Sequence, residues 1–363
     1  SFVTEQNFPG VLDFPFQAKV SRFAKAGGGA SDVADLFNTD DFYTSPTTSA
    51  YSLATFLGNH DMGRIGHFIE ILSGSDGPQI MLERAKLANA LLFTLRGGPV
   101  LYYGDEKGMT GSGGDQLARQ DMFSTQVEDW KTEVRIGSAQ IGNASAFDVK
   151  NPLEANVAEL QALYKKYPAL KSGAQQVRFG LGSVFAVSRY ADNQEFLVAF
   201  NSNDEAQEAT IPVSTKDSGW SAISGSAKVT INSLSLNLKL EPRSWVVLKA
   251  DKTFEPSSRL AITLNAPKPD YRTPGWSAIT AKIPGDDFVQ VTFAARQSGK
   301  TWKVLGTSDH RTTKDDYIAA GLHRVFIHNR QYKSGTTFDL VAIVTNSKGE
   351  KMVSKVIKYT IKY

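Results

Sequence analysis

Phe56-Leu57-Gly58-Asn59-His60-Asp61-Met62-Gly63-Arg64 is the stretch on which the reading of the fold turns. Residues 53–57 make an apolar run long enough for one buried strand. The run stops abruptly in Asn59, His60 and Asp61, with Arg64 close behind. An apolar strand that ends in a polar cluster suits the mouth of a parallel β/α barrel, where strand C-termini carry the chemistry.

The sequence on either side continues that pattern. Residues 10–16 (Gly-Val-Leu-Asp-Phe-Pro-Phe) are a short apolar run closed by Pro15, which predicts a strand running into a loop. Residues 27–29 are a glycine break. Ser31 follows as the expected N-cap of a short helix with Val33, Ala34, Leu36 and Phe37 on its apolar side. Residues 73–77 predict a glycine-containing loop. Residues 79–96 are the clearest helix: Met81, Ala85, Ala88, Leu92 and Leu95 recur every three or four positions. Gly97 and Gly98 are expected to cap it. Residues 99–103 (Pro-Val-Leu-Tyr-Tyr) predict another buried strand, ending in Gly104-Asp105-Glu106. Strand, helix, strand, helix, strand is the alternation of parallel β/α units.

Further on, residues 109–141 read as a long loop region. Residues 151–167 predict a helix with Leu153, Val157 and Leu160 on one face, stopped by Pro168. From residue 175 the apolar period drops to two, in runs at 184–188, 196–200 and 244–248, so residues 175–250 predict a small all-β unit. Residues 251–258, with Pro256, read as a polar linker. Candidate strands follow at 260–264, 288–294, 302–305, 324–328, 338–345 and 352–359, a density that suits an immunoglobulin-like sandwich.

Composition removes several function classes. The 363 residues include 40 basic and 37 acidic side chains, a net charge of +3 that argues against nucleic acid or an anionic membrane as partner. There is no cysteine, which excludes disulfides, thiolate metal sites and a cysteine nucleophile. No apolar run reaches membrane-spanning length. The chain starts at Ser1 rather than Met and reads as a processed or truncated product, so the lack of a signal peptide says nothing about export.

Three segments in fixed order resemble the α-amylase superfamily of retaining glycoside hydrolases. Phe56-Leu-Gly-Asn-His-Asp61 is similar to the end of that family's seventh barrel strand. Gly97-Gly-Pro-Val-Leu-Tyr-Tyr-Gly-Asp-Glu106 is similar to the eighth strand and its loop, and Val11-Leu-Asp-Phe-Pro-Phe16 to the sixth. Arg119-Gln-Asp-Met-Phe123 and the helix after residue 151 resemble segments that follow the eighth strand. The resemblance implies a partial (β/α)8 barrel (strands 6–8) over residues 1–172, a β-sandwich over 173–250, and a further immunoglobulin-like sandwich over 251–363. It also implies that the chain begins after the nucleophile and the acid/base, which the family carries on its fourth and fifth strands. Such a chain is expected to be inactive alone, and a companion chain or segment is expected to supply strands 1–5.

In the family's pattern Asp61 is the third carboxylate, the transition-state stabiliser, and His60 hydrogen-bonds the same sugar. Arg64 and Asn59 are expected to contact substrate. Without the flanking motifs, Asn-His-Asp would be ordinary turn chemistry. Asp105, Glu106, Tyr102 and Tyr103 read as structural, and Asp13 is left unassigned. Trp276 and Trp302 read as core tryptophans before sugar platforms. His310, His323 and His328, beside Asp309, fit no metal spacing and read as surface histidines. No metal ligand is assigned, because the structural calcium that family members often hold lies near a part of the barrel not matched here. The implied activity is retaining hydrolysis of α-glucosidic bonds in starch-like glucans or maltooligosaccharides, outside the cell or in a periplasm. The alternatives are a transglycosylase or isomerase of the same superfamily, and a non-catalytic carbohydrate-binding or scaffold protein on a degenerate amylase fold.

Overall fold

Asp13 decides where the first helix starts. Its Oδ1 accepts a hydrogen bond from the Phe16 amide at 3.0 Å, and Pro15 sits in the first turn, where its missing N–H is no loss. Helix α1 therefore runs Phe14–Ala26. The strand expected over 10–16 shrinks to one parallel bridge between Leu12 and Ala54. The computed structural model describes the chain apart from residues 1, 2, 7, 27, 112, 257, 258, 271, 272, 315–318 and 363. The expected break at Gly27 and the end of the expected linker at 257–258 lie outside the described residues.

Helix α2 (Ala30–Phe37) is capped at Gly29, two residues ahead of the Ser31 cap expected from sequence. The Ala30 amide is satisfied by the Gly182 carbonyl at 2.9 Å, so no side-chain cap is needed. Next come β1 (Ala54–Thr55), α3 (Ile65–Ser73), α4 (Pro78–Thr94) and β2 (Gly98–Pro99). β1 pairs in parallel with β2, Ala54 opposite Gly98, while Leu12 flanks β1 on its other side. The order of parallel segments is thus Leu12, β1, β2. Each strand is shorter than its apolar run. Leu53 and Thr55 accept from Gly98 and Val100 at 2.8 Å each, but Pro99 between them has no N–H to give, and the chain turns at Tyr102–Asp105. Nor do the two glycines cap α4, whose end is Leu95 in extended conformation. Gly97 has φ +112°, and a Cβ there would meet Thr55 Cγ2 at 2.4 Å, so its absence lets β2 lie close to β1.

The short helix α5 (Glu128–Thr132) interrupts the expected loop region. Helix α6 (Pro152–Lys166) starts with a reciprocal capping box between Asn151 and Glu154, and Pro168 both ends it and opens α7 (Pro168–Ser172).

The first β unit contains β3 (Ala174–Leu181), β4 (Val184–Ala191), β5 (Gln194–Asn201), β6 (Gln207–Pro212), β7 (Trp220–Gly225), β8 (Lys228–Ile231), β9 (Ser235–Leu240) and β10 (Ser244–Ala250). Its sheets have the orders β3-β4-β5-β10-β7 and β6-β9-β8. The larger sheet is buried on both faces. Phe185, Val187, Phe196, Val198, Phe200 and Val247 pack with the helices, in one core with Phe23, Phe37 and Leu91. The alternating residues Val184, Ala186, Leu197, Ala199, Val246 and Leu248 pack with Ile211, Leu236 and Leu238 of the smaller sheet.

The last unit contains β11 (Thr263–Leu264), β12 (Lys268–Pro269), β13 (Trp276–Lys282), β14 (Val289–Gln297), β15 (Lys303–Ser308), β16 (Leu322–His328), β17 (Thr337–Asn346), β18 (Lys351–Val353) and β19 (Ile357–Thr360). One sheet joins β11, β12 and β16 to β13; the other has the order β15-β14-β17-β18, with β19 also on β17. Ile279, Val325 and Ile327 face Val291, Phe293, Leu340 and Val344 across a separate core. The single strand expected over 352–359 is split, because Ser354 breaks the ladder by exchanging hydrogen bonds with Ala342 through its own amide and Oγ. Residues 251–256 are not a free tether, since Phe254 is buried edge-on against Tyr190 and Phe288. The two tryptophans expected in the core are not there: Trp276 is half-buried and stacks on His328 with centroids 4.6 Å apart, and Trp302 is exposed, with Arg296 over its ring. His310 and His323, expected at the surface, instead lie where this unit meets the segment before β1, His323 buried and the His310 side chain only 13% exposed.

Candidate active site

Beyond β1, Phe56 and Leu57 remain buried and Gly58 begins a reversal. A Cβ on Gly58 would meet the Gly63 carbonyl at 2.6 Å, so the two arms of the turn close only around a glycine. Asn59 and Gly63 exchange backbone hydrogen bonds of 3.0 and 3.1 Å. Asn59 Oδ1 accepts from the amides of Asp61 and Met62 at 2.9 and 3.0 Å. This carboxamide oxygen is therefore committed to the turn.

The turn puts His60 and Asp61 at its tip, their side chains 55% and 72% exposed, with Nε2 and Oδ1 3.1 Å apart. The tip is braced from behind. Gly114 passes so close that a Cβ there would come within 2.7 Å of the Asp61 carbonyl. Arg119, held by Asp115 at 2.7 Å, brings its guanidinium to 3.8 Å from Asp61 Oδ1. Sequence reasoning missed Arg119 as a site residue, although its own Arg119–Phe123 motif contains it.

Arg64 is not at the tip. Its side chain is fully buried, with Nη1 donating to Asp105 Oδ1 at 2.9 Å and to the Tyr103 carbonyl at 2.5 Å, and Nε donating to Gln120 at 2.7 Å. Tyr102 and Tyr103 present ring faces 4.3 and 5.0 Å from its guanidinium carbon. The expectation that Arg64 reaches substrate is thereby corrected: its chemistry is spent on the loop after β2. Burial pushes Asp105 up to about 7 against the pull of Arg64. Glu106 accepts from the Gly104 amide, a turn role. Tyr102 and Tyr103 donate their hydroxyls to the carbonyls of Ala118 and Gln120, fixing the segment that carries Arg119.

At the opposite end of the parallel segments, Arg96 bridges two buried carboxylates. Nη1 reaches Asp13 at 2.5 Å, and Nε and Nη2 reach Asp40 at 2.8 and 2.5 Å. Burial opposes the charge on Arg96, but the two carboxylates outweigh it and raise its pKa. Asp13 thus acquires a structural role. Among the described residues, no group of three or more His, Asp or Glu side chains is placed to hold a metal ion.

The arrangement therefore consists of the exposed Asp61 carboxylate and His60 imidazole on the turn, with the Arg119 guanidinium, itself paired with Asp115, beside them. Such a set can accept hydrogen bonds at the carboxylate and donate them from the other two groups.

Comparison with known proteins supports the same reading. Residues 1–173 match the family described as "Alpha amylase, catalytic domain". The chain is 33% identical over 356 residues to an α-amylase of Streptomyces lividans, an alignment covering 96% of this chain and 37% of that protein. It is 30% identical over 199 residues to a cyclomaltodextrin glucanotransferase of Thermoanaerobacterium thermosulfurigenes, covering 53% of the chain and 22% of the relative. Among solved structures, the α-amylase of Geobacillus thermoleovorans complexed with acarbose superposes with a TM-score of 0.53 at 20% identity, covering 67% of this chain and 48% of that one. The chain spans less than half the length of these relatives. With the Asn-His-Asp turn in place after β1 and the parallel order of Leu12, β1 and β2, residues 1–173 belong to the α-amylase superfamily.

Proposed function

We propose that this chain forms one wall of the active site of a retaining glycoside hydrolase acting on α-glucosidic bonds of starch-like glucans. On this reading Leu12, β1 and β2 are strands six, seven and eight of a (β/α)8 barrel, followed by two β-sandwiches, the last immunoglobulin-like. The observation that carries it is the pairing of exposed His60 and Asp61 on a turn leaving the C-terminal end of the central parallel segment.

Cleavage of a glycosidic bond passes through an oxocarbenium-like state in which the sugar ring flattens and gains positive charge. Asp61, accepting hydrogen bonds from two neighbouring hydroxyls, strengthens its hold as that charge develops. His60 donates to the same sugar, and Arg119 orients the carboxylate from 3.8 Å. The nucleophile and the acid/base, about 5–5.5 Å apart in a retaining site, come from strands outside this segment, on a preceding part of the polypeptide or a companion chain. Support for such a neighbour lies in Leu12, Phe14, Val100 and Tyr103, apolar or aromatic side chains 42–51% exposed on and just after the outer parallel segments. A structural calcium, on this reading, belongs with that same remaining part. A polymeric substrate places the enzyme outside the cell or in a periplasm.

Asp61→Asn in the complete protein is expected to lower kcat on maltooligosaccharides by about 10²–10³-fold with an unchanged Tm; near-full activity would refute the role. The chain on its own is expected to show no turnover, and measurable hydrolysis by it alone would overturn the placement of the two missing carboxylates. Similarity to a glucanotransferase supports a second reading within the class, transfer to a sugar acceptor in place of water. Products formed with excess glucose separate the two.

A further inference from the structure

Asp40 and Asp41 are consecutive, both buried, and point to different partners. Asp40 takes Arg96, two residues ahead of β2. Asp41 takes the last β unit: Arg324 Nε donates to its Oδ2 at 2.9 Å, and His310 Nε2 lies 3.1 Å from its Oδ1, an ion pair by distance without the alignment of a hydrogen bond. Arg324 also donates to the Asn38 carbonyl. Phe42 stacks on Phe326 with centroids 4.1 Å apart. Further along, Tyr51 donates to Asp309 at 3.0 Å and accepts from the Gln175 amide at 2.8 Å. Residues 38–51 are thus gripped near both ends by partners far away in sequence. Leu53, whose carbonyl holds β2, follows at once, and Leu53, Thr55, Phe56 and Leu57 are all buried on the way to the turn.

We propose that the last β unit positions the strand leading to Asp61 through Asp41, and that this hold weakens when His310 gives up its proton. Arg324, His310 and Asp41 are positioning residues, since none touches the exposed tip. This goes beyond the glycosidase reading and does not depend on it.

Charge balance around His310 sets the direction of the switch. Asp41 faces it from the segment before β1, with Asp40 and Arg96 behind, and Tyr51 lies across from Asp309. From its own unit it meets Asp309 at 3.4 Å, with Arg311, Arg324 and His323 nearby. Burial drives His323 down to about 3, helped by Arg311 and His310, so it stays neutral. Burial also works against charge on His310, but Asp41 and Asp309 outweigh it and lift its pKa well above the ordinary value. Asp41 is the mirror case. Burial pushes it up, and His310 and Arg324 outweigh that and hold it below the usual carboxylate range. A histidine raised on folding stabilises fully below its ordinary pKa of about 6.5, and the contribution is lost as pH rises through the elevated folded value. Above that, a buried carboxylate oxygen loses its nearest cation.

Two measurements on the complete protein test this. The Tm of the wild type should fall more steeply with rising pH on the alkaline side of neutrality than that of His310→Gln, the two curves converging at high pH; parallel curves would overturn the switch. Should His310→Gln fail to fold, the imidazole is titrated by NMR in the wild type, where an ordinary or depressed pKa is the refuting result. For positioning, hydrogen exchange at fixed pH is compared in Arg324→Ala and in Arg296→Ala, which disturbs contacts within the same unit, the pair with Asp339 and the cover over Trp302. Arg324→Ala should raise exchange about tenfold at the amides of Ala54 and Gly98, which bond across the parallel segments, and Arg296→Ala should not. Faster exchange confined to residues 259–362 would show a purely local structural role and overturn the proposal.

Discussion

Arg64 shows how little a side chain's chemistry reveals about where it points. By sequence it follows Asp61 at a distance that suits a substrate contact; in the fold it turns inward under two tyrosine rings. Its partners Asp105 and Gln120 lie 41 and 56 residues downstream, beyond any local pattern. The neighbouring Asn59, by contrast, bonds residues two and three positions on, a local pattern, although the sequence reading assigned Asn59 to substrate. Arg64→Met leaves the Asp105 carboxyl buried without its cation and is expected to destabilise by about 3–5 kcal/mol, read as a drop in the urea midpoint. Arg64→Lys should recover only part of this, because an ammonium cannot serve Asp105, Gln120 and the Tyr103 carbonyl from one plane. A substrate-contacting arginine would behave differently, with KM rising and stability untouched.

Elements were legible where local signals and tertiary demands agree. Helix α6 is the clear case: Asn151, Pro152 and Glu154 supply cap, first-turn proline and reciprocal bond within four residues. Asn151→Ala is expected to cost about 1 kcal/mol, measured by thermal unfolding. The α1 start was missed because Asp-Phe-Pro after an apolar run can close a strand or open a helix, and only the Asp13–Phe16 bond selects the second. The parallel strands were placed correctly but drawn too long. Leu53, Phe56 and Leu57 are buried by packing, but Leu12, Val100 and Tyr103 stay exposed, and regular pairing stops at Pro99. Gly97 belongs to the same lesson: its use is steric, not terminal. Gly97→Ala forces a Cβ against Thr55 at a positive φ and should destabilise by about 1–3 kcal/mol, which is more than a helix-capping role at this position would lose to alanine in an exposed setting.

At the scale of the molecule, the five-stranded sheet belongs to two cores at once. Its apolar runs at 184–187 and 196–200 alternate between them residue by residue, Phe185 and Phe200 toward the helices, Ala186 and Ala199 toward the smaller sheet. A period of two was therefore visible in the sequence, but not that both faces were covered, which is why residues 173–250 read as a self-contained unit. The last unit has a core of its own and meets the rest through contacts such as those on Asp41 and Phe254. Shared and separate cores predict different spreads of damage. Phe200→Ala removes a fully buried ring facing the helices and should destabilise by about 3–5 kcal/mol. Because that ring's strand also carries Leu197 and Ala199 into the other core, faster hydrogen exchange should appear together in α4 and in β9, on opposite sides of the sheet. Amides of β14 and β17 should keep their protection, since their sheet packs in the separate core. Exchange rising in α4 while β9 stays protected would show that the first β unit folds independently of the helices, and that the shared sheet does not couple them.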